Sequence, residues 1–331
     1  MSLPRRFRAD APPVGLLPIA LAVVAVMSLG AAADHVRAQT PAEVAASCVG
    51  SGGAVDPCLA GATAAHSLMG SMSLAGGAGS AIPGTASNLG TRVGGGPRLS
   101  FHARAMASKW AVPAADDLAG ERDPTVTSIR LGAAAGVFDG FRLMPTVGGF
   151  LATDLFGDVT LSSPGQGDGF SGGVRSYALG ARIGLFREGF TIPGASVSVA
   201  RRFSGSLDYG DVPGGDVLAA TVDPATTSIR AAVSKDLFAV ELLAGVGWDD
   251  VSGDVTVRVP DGAGGTVVSE SSMDGSRHLY FASASMTFSL ILTLTAEGGW
   301  AAGLPAVPGY DGPHDPTSGR VFGGFSARLV F

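Results

Sequence analysis

From residue 97 onward the chain alternates apolar and polar positions with a period of two. Leu99, Phe101, Ala103 and Ala105 interleave with Arg98, Ser100, His102 and Arg104. Ile129, Leu131 and Ala133 interleave with Ser128, Arg130 and Gly132. Tyr177, Leu179, Ala181 and Ile183 interleave with Ser176, Gly180 and Arg182. Further segments of the same kind occupy 147–155, 197–203, 229–237, 240–248, 280–286, 290–296 and 321–331. A strand points successive side chains to opposite faces, so each segment predicts a strand with one apolar and one polar face. The pattern is all-β: an antiparallel up-and-down barrel of about ten strands, within a range of 8–12, spanning residues 97–331. An even count places both barrel ends on one side of a membrane, as single-chain bacterial barrels require.

Spacing supports the pairing. Every second strand ends near Phe138, Phe186, Phe238, Phe288 or Phe331, at intervals of 48, 52, 50 and 43 residues. The segment Thr127-Ser-Ile-Arg130 recurs as Thr227-Ser-Ile-Arg230, two hairpins on. Short connections are expected around Asp139-Gly140, Glu188-Gly189, Asp236 and Ser289. Long ones are expected over 109–124, 162–173, 208–216, 249–276 and 303–319. The 249–276 stretch carries its own alternation at Val255, Val257 and Val259, and reads as a hairpin projecting outside the membrane. Trp110, Trp248 and Trp300 fall at the long-loop end and the phenylalanines at the short-turn end, which predicts two interfacial aromatic girdles.

Upstream, the pattern changes. Arg5, Arg6 and Arg8 precede an apolar stretch from Gly15 to Ala33, followed by small residues. This reads as an export signal over 1–38, cleaved after Ala33 or Ala38. Residues 39–96 hold two helical candidates, 41–47 and 59–72, then a Gly-rich run through Gly90. The run is too rich in small residues for a core of its own. It is expected to plug the barrel, lie beneath it, or remain mobile. Cys48 and Cys58 are the only cysteines; in an oxidising compartment they are expected to form a disulfide.

Composition narrows the alternatives. Charged residues make up 15% of the chain, and mean hydropathy is +0.34, where soluble domains carry about 25% charged residues. No stretch after residue 40 is apolar for the length that a membrane helix needs. Removing 1–38 takes four Arg and two Asp and moves the formal charge from −6 to −8. An acidic exported chain argues against nucleic acid as a partner. No cofactor is expected: Cys48 and Cys58 lack close-lying metal ligands, Asp261-Gly-Ala-Gly-Gly265 is a single loop with too few oxygen ligands for calcium, and no phosphate-binding glycine loop occurs.

The ending Gly323-Gly-Phe-Ser-Ala-Arg-Leu-Val-Phe331 resembles the C-terminal assembly signal of Gram-negative outer-membrane β-barrels. Phe331, Leu329 and Phe325 stand at its alternate positions. The resemblance implies outer-membrane lipid and the barrel-assembly machinery as partners. The stretch from Gly70 to Ser100 is similar to the start of long-chain fatty-acid transporter-like barrels. Those are longer, so none of their ligand residues is transferred.

By this phase the lumen is lined by Arg98, His102, Arg104, Arg130, Asp154, Arg182, Arg202, Arg230, Glu241, Glu297 and Arg328. Two readings follow: a hydrogen-bonded filling of Arg and carboxylate pairs, or an anion-favouring pathway. The expected function is passive passage or binding of a small solute. The alternative is a packed structural barrel whose outer loops interact at the surface. Catalysis is a third class, since Ser100 and His102 share one face, but no acidic orienter follows from their spacing, and the chain is not expected to be an enzyme. Oligomeric state stays open.

Overall fold

The computed structural model describes residues 38–92, 96–144, 148–165, 168–288 and 291–331; the expected export signal, but for Ala38, lies outside them. Ten strands follow one another: β1 (Arg98–Lys109), β2 (Thr125–Phe138), β3 (Thr153–Ser163), β4 (Val174–Phe186), β5 (Gly194–Ser204), β6 (Ala219–Leu237), β7 (Val240–Pro260), β8 (Thr266–Phe288), β9 (Leu292–Ala301) and β10 (Arg320–Val330). Each pairs antiparallel with its neighbours in sequence. β10 pairs back onto β1, with Phe101 opposite Leu329 and Ala103 opposite Ala327, so the sheet closes and the barrel strands leave no free edge. The fold class is the one the alternation predicts.

Phase decides what each face holds. Outward positions such as Leu131, Leu179, Phe203 and Phe325 are exposed, Leu179 at 67% and Phe325 at 74%. This apolar belt is far larger than a soluble protein presents, and suits lipid. Inward positions are Arg, Ser, Thr, carboxylates and Gly. Three inward phenylalanines lie across glycines on the adjoining strand: Phe156 over Gly180, Phe281 over Gly245, and Phe322 over Gly299. A side chain at any of these glycines would collide with the ring, which accounts for part of the chain's high glycine content.

Residues 39–92 run inside this wall. Helix α1 (Pro41–Gly50) starts at Thr40, whose hydroxyl accepts from the Glu43 amide while the Glu43 carboxylate accepts from the Thr40 amide, a reciprocal cap. The Cys48–Cys58 disulfide ties α1 to helix α2 (Val55–Gly77). α2 has 23 residues, about 35 Å at 1.5 Å per residue. It is buried on nearly every side from Cys58 to Gly76, which explains why Ala, Gly and Ser dominate it: a helix walled in on all faces has no polar side to show.

Three expectations need correction. β3 begins at Thr153, not near residue 147, and Val147 lies outside the described residues. Phe141 and Phe150 face each other across a small antiparallel bridge, and Gly140 and Leu151 take positive φ, so the described residues between β2 and β3 form turns and not strand. Residues 249–276 are no separate loop. β7 and β8 run on through them as strands of 21 and 23 residues, because Val251, Val255, Val257 and Val259 bury their inward face in the apolar cluster formed with both helices. Trp110 belongs to no girdle. It is 1% exposed, edge-on to Phe170, since the chain turns inward over the barrel mouth after β1 and its indole N–H donates to Ser108. Trp300, by contrast, is exposed and stacked on Tyr280.

Candidate functional site: the plugged lumen

α2 enters at the long-loop end, beside Val257 and Leu304, and stops midway down the barrel. Its last carbonyls have no partners within the helix and form the negative end of its dipole. No basic residue of its own occupies its last turn. The wall supplies three. Arg130 donates to the Gly76 carbonyl, Arg230 to Gly77 at 3.1 Å, and Arg104 to Ala78 at 3.1 Å. Arg130 and Arg230 are the fourth residues of the two Thr-Ser-Ile-Arg repeats, so the repeat places equivalent guanidinium groups on consecutive carbonyls.

Below the helix, 78–92 continues in irregular form and the wall binds its backbone. Arg104 donates to Ser80 O at 3.0 Å, and Arg182 to Thr85 O and Ser87 O at 2.9 and 2.8 Å. Carboxylates accept from its amides. Glu297 takes the Ser80 N–H at 3.2 Å, Asp154 the Leu89 N–H at 3.1 Å, and Asp139 the Thr91 N–H at 2.8 Å. The same groups pair with each other: Arg182–Asp154 at 2.7 Å, Arg202–Asp158 at 2.8 Å, Arg230–Asp249 at 2.6 Å and Arg104–Glu297 at 3.4 Å. Burying such charges is tolerable because each is both paired and hydrogen-bonded. The space left between Ser80, Ile82 and Phe281 is about 10 Å³, room for roughly one water.

The residues assigned to the lumen from sequence occupy these positions. His102, Arg104, Arg130, Asp154, Arg182, Arg202, Arg230, Glu297 and Arg328 are buried inward. Glu241 is half-buried. Arg98 stands exposed at the short-turn mouth, reaching Leu89 O at 3.4 Å. That mouth holds a cavity of about 790 Å³ lined by Arg98, Asp139, Arg187, Glu188, Lys235 and Glu241. Ser100 and His102 do not engage each other; the Ser100 hydroxyl and both His102 nitrogens are buried without a partner.

Sequence reasoning missed Asp158, Asp249 and Arg277. Asp249 lay in what read as a loop, Arg277 between that loop and the strand expected from residue 280, and Asp158 beyond the expected end of its strand. All three keep the phase of their strands: Asp158 follows Asp154 and Phe156, Asp249 follows Glu241 and Gly247, and Arg277 precedes Leu279 and Phe281. Extending the alternation would have found them. Of the assembly-signal residues, Phe325, Leu329 and Phe331 all face outward. Phe331 exchanges backbone hydrogen bonds with Leu99 at 2.9 and 3.1 Å and sets its ring edge-on to Phe101.

No family matches the chain, and no curated protein does. Among solved structures it is similar to the translocator domain of the autotransporter NalP from Neisseria meningitidis, at 14% identity and a TM-score of 0.40, covering 82% of this chain and 98% of that one. It is similar to the transport unit of the autotransporter AIDA-I from Escherichia coli, at 9% identity and a TM-score of 0.35, covering 81% and 99%. It is also similar to an outer-membrane channel from Pseudomonas putida F1, at 11% identity and a TM-score of 0.36, covering 76% and 100%. By its own geometry the chain is a ten-stranded β-barrel of the outer-membrane type, filled by its amino-terminal segment.

Proposed function

We propose that this protein is an outer-membrane barrel held shut by its own amino-terminal segment, with its working surface in the cap of long loops. One observation carries the reading: Arg104, Arg130 and Arg230 hold the end of α2 by its carbonyls while Arg182, Asp154 and Glu297 hold the backbone below it. The apolar outer belt supports residence in lipid. The outward-facing Phe325, Leu329 and Phe331 on the closing strand support recognition by the barrel-assembly machinery. The reading gives no catalytic part to Ser100 and His102.

A second reading is gated passage, in which a small solute collects at the short-turn mouth and crosses when the segment shifts. The mouth cavity, with three cationic and four acidic side chains, favours a polar solute. Planar-bilayer conductance separates the two. The closed barrel predicts no steady current from the full-length protein, and current once residues 39–92 are removed. A steady, salt-dependent current from the intact chain overturns it in favour of passage.

A further inference from the structure

At the long-loop end the wall is uneven in height. β9 ends at Ala301, level with Leu279, while β8 runs on outward to Thr266. Past that level the side of β8 turned away from β7 is met at two places. His278 O accepts from the Ala302 amide and Ser272 O from the Gln39 amide, each at 2.8 Å. Between them, at Asp274, Gly275 and Ser276, no strand among the described residues lies alongside. A cavity of about 400 Å³ opens there, with Pro41, Pro305 and Pro308 around it, a volume that suits a small ligand. Gly275 stands about 16 Å outward of Tyr280 along the strand. Tyr280 and Trp300 stack at the girdle, so the cavity lies clear of the lipid.

His66 of α2 lines this cavity from behind and is 2% exposed. Its ring reaches the cavity because residue 275 is glycine: a Cβ there would stand 3.0 Å from His66 Nε2. Nδ1 of the same ring is buried with no protein partner among the described residues. Burial, with His314 nearby, lowers the imidazole to about 4. At neutral pH it is therefore uncharged, and one of its nitrogens is an acceptor. Buried polar groups of this kind call for a partner.

The lip of the cavity is acidic. Asp250 stands opposite Ser276, and Asp274 opposite Ser252, so both carboxylates lie on the face of the sheet away from His66. Asp274 is exposed and Asp250 half-buried. No Lys or Arg lines the cavity, so its field draws cations. Among the described residues no three His, Cys, Asp or Glu are grouped to hold a metal ion. An organic ammonium group meets the whole lining: it carries charge for the lip, N–H donors for the imidazole and no acceptor to leave unmatched.

We propose that this cavity binds a small organic amine in its ammonium form, drawn by Asp250 and Asp274 and donating an N–H to His66. The proposal names a ligand class for the cap of long loops and rests on the reading that the protein works there.

The test is calorimetric titration of the full-length folded protein, in non-ionic detergent at low ionic strength, with 1,5-diaminopentane. Its uncharged counterpart 1,5-pentanediol is the control ligand. The diamine is expected to bind and the diol is not. Binding is expected to weaken by about tenfold or more in Asp274→Asn and in Gly275→Ala, and to stay unchanged in Asp311→Asn, an exposed carboxylate outside the cavity. Heat-modifiable gel migration checks that each variant is folded, and His66→Phe replaces Gly275→Ala should that variant fail to fold. No binding of the diamine, or equal binding of the diol, overturns the proposal. Loss in Asp274→Asn without loss in Gly275→Ala or His66→Phe also overturns it, since the amine then sits on surface charge alone. The readout needs no bilayer, so its failure leaves the conductance test of the closed barrel standing.

Discussion

Ser67 Oγ lies 2.8 Å from Nε2 of His314, joining the middle of α2 to a loop 247 residues away. Nδ1 of His314 in turn lies 2.7 Å from Glu121 in the β1–β2 connection. The order Ser, His, Glu is that of a proton relay, but Ser67 and His314 are buried, and the amides around Ser67 are committed to the helix, with none left over for an oxyanion. The series therefore acts as a clasp that pins two long loops to the helix in the lumen.

That clasp is sensitive to acid. Burial holds the His314 imidazole below its ordinary value near 6.5, against the opposing pull of Glu121. Arg320 lowers it further and Asp315 raises it. The folded protein takes up this proton less readily than the unfolded chain. Its contribution is complete above about pH 6.5 and declines as pH falls below that value. Amide protection over 302–319, taken relative to the intrinsic exchange rate at each pH, is expected to fall on acidification, and His314→Gln is expected to flatten that dependence.

Arg182→Ala leaves Asp154 buried without its ion-pair partner and frees the Thr85 and Ser87 carbonyls at the same stroke. Stranding one member of a buried pair costs about 3–5 kcal/mol. Urea unfolding of the refolded barrel in detergent is expected to show a loss of that order, whereas Arg187→Ala, at an exposed pair with Asp139, is expected to cost about 0–1 kcal/mol.

Gly79→Val tests how closely the segment fits. Gly79 has φ of +81°, and a Cβ there would overlap the Glu297 carboxylate. Only glycine adopts this backbone without cost beside so close a wall. The variant is expected to open the lumen while leaving strand content intact, seen as ionic current in a bilayer with an unchanged far-ultraviolet spectrum.

Cys48→Ser with Cys58→Ser removes a bridge of sequence separation 10, worth about 2–3 kcal/mol by loop closure. The loss is expected to be local. Proteolysis of α1 should accelerate while heat-modifiable migration of the barrel is retained.

Much of the barrel wall was legible along the chain. Side-chain direction in a strand follows from a period of two that each residue shares with its immediate neighbours. Leu179 and Arg182, or Phe325 and Arg328, therefore declare opposite faces with no knowledge of what they meet. The two cysteines and both helices inside 39–96 were legible for the same local reason. Where local signals ran out, so did the reading: the alternation in 249–276 was visible, but that it continues β7 and β8 depends on the helices covering its inner face.

What the tertiary structure alone decided is partnership. Arg182 and Asp154 stand 28 residues apart and Arg104 and Ser80 24 apart, and strand register with the path of the segment brings each pair together. Composition left 39–96 free to plug the barrel, lie beneath it or stay mobile. Its place in the lumen follows from helix carbonyls and loop amides that need partners and a ring of inward charges that need the same. Each could be read from sequence by itself; that they satisfy one another is a property of the closed ring.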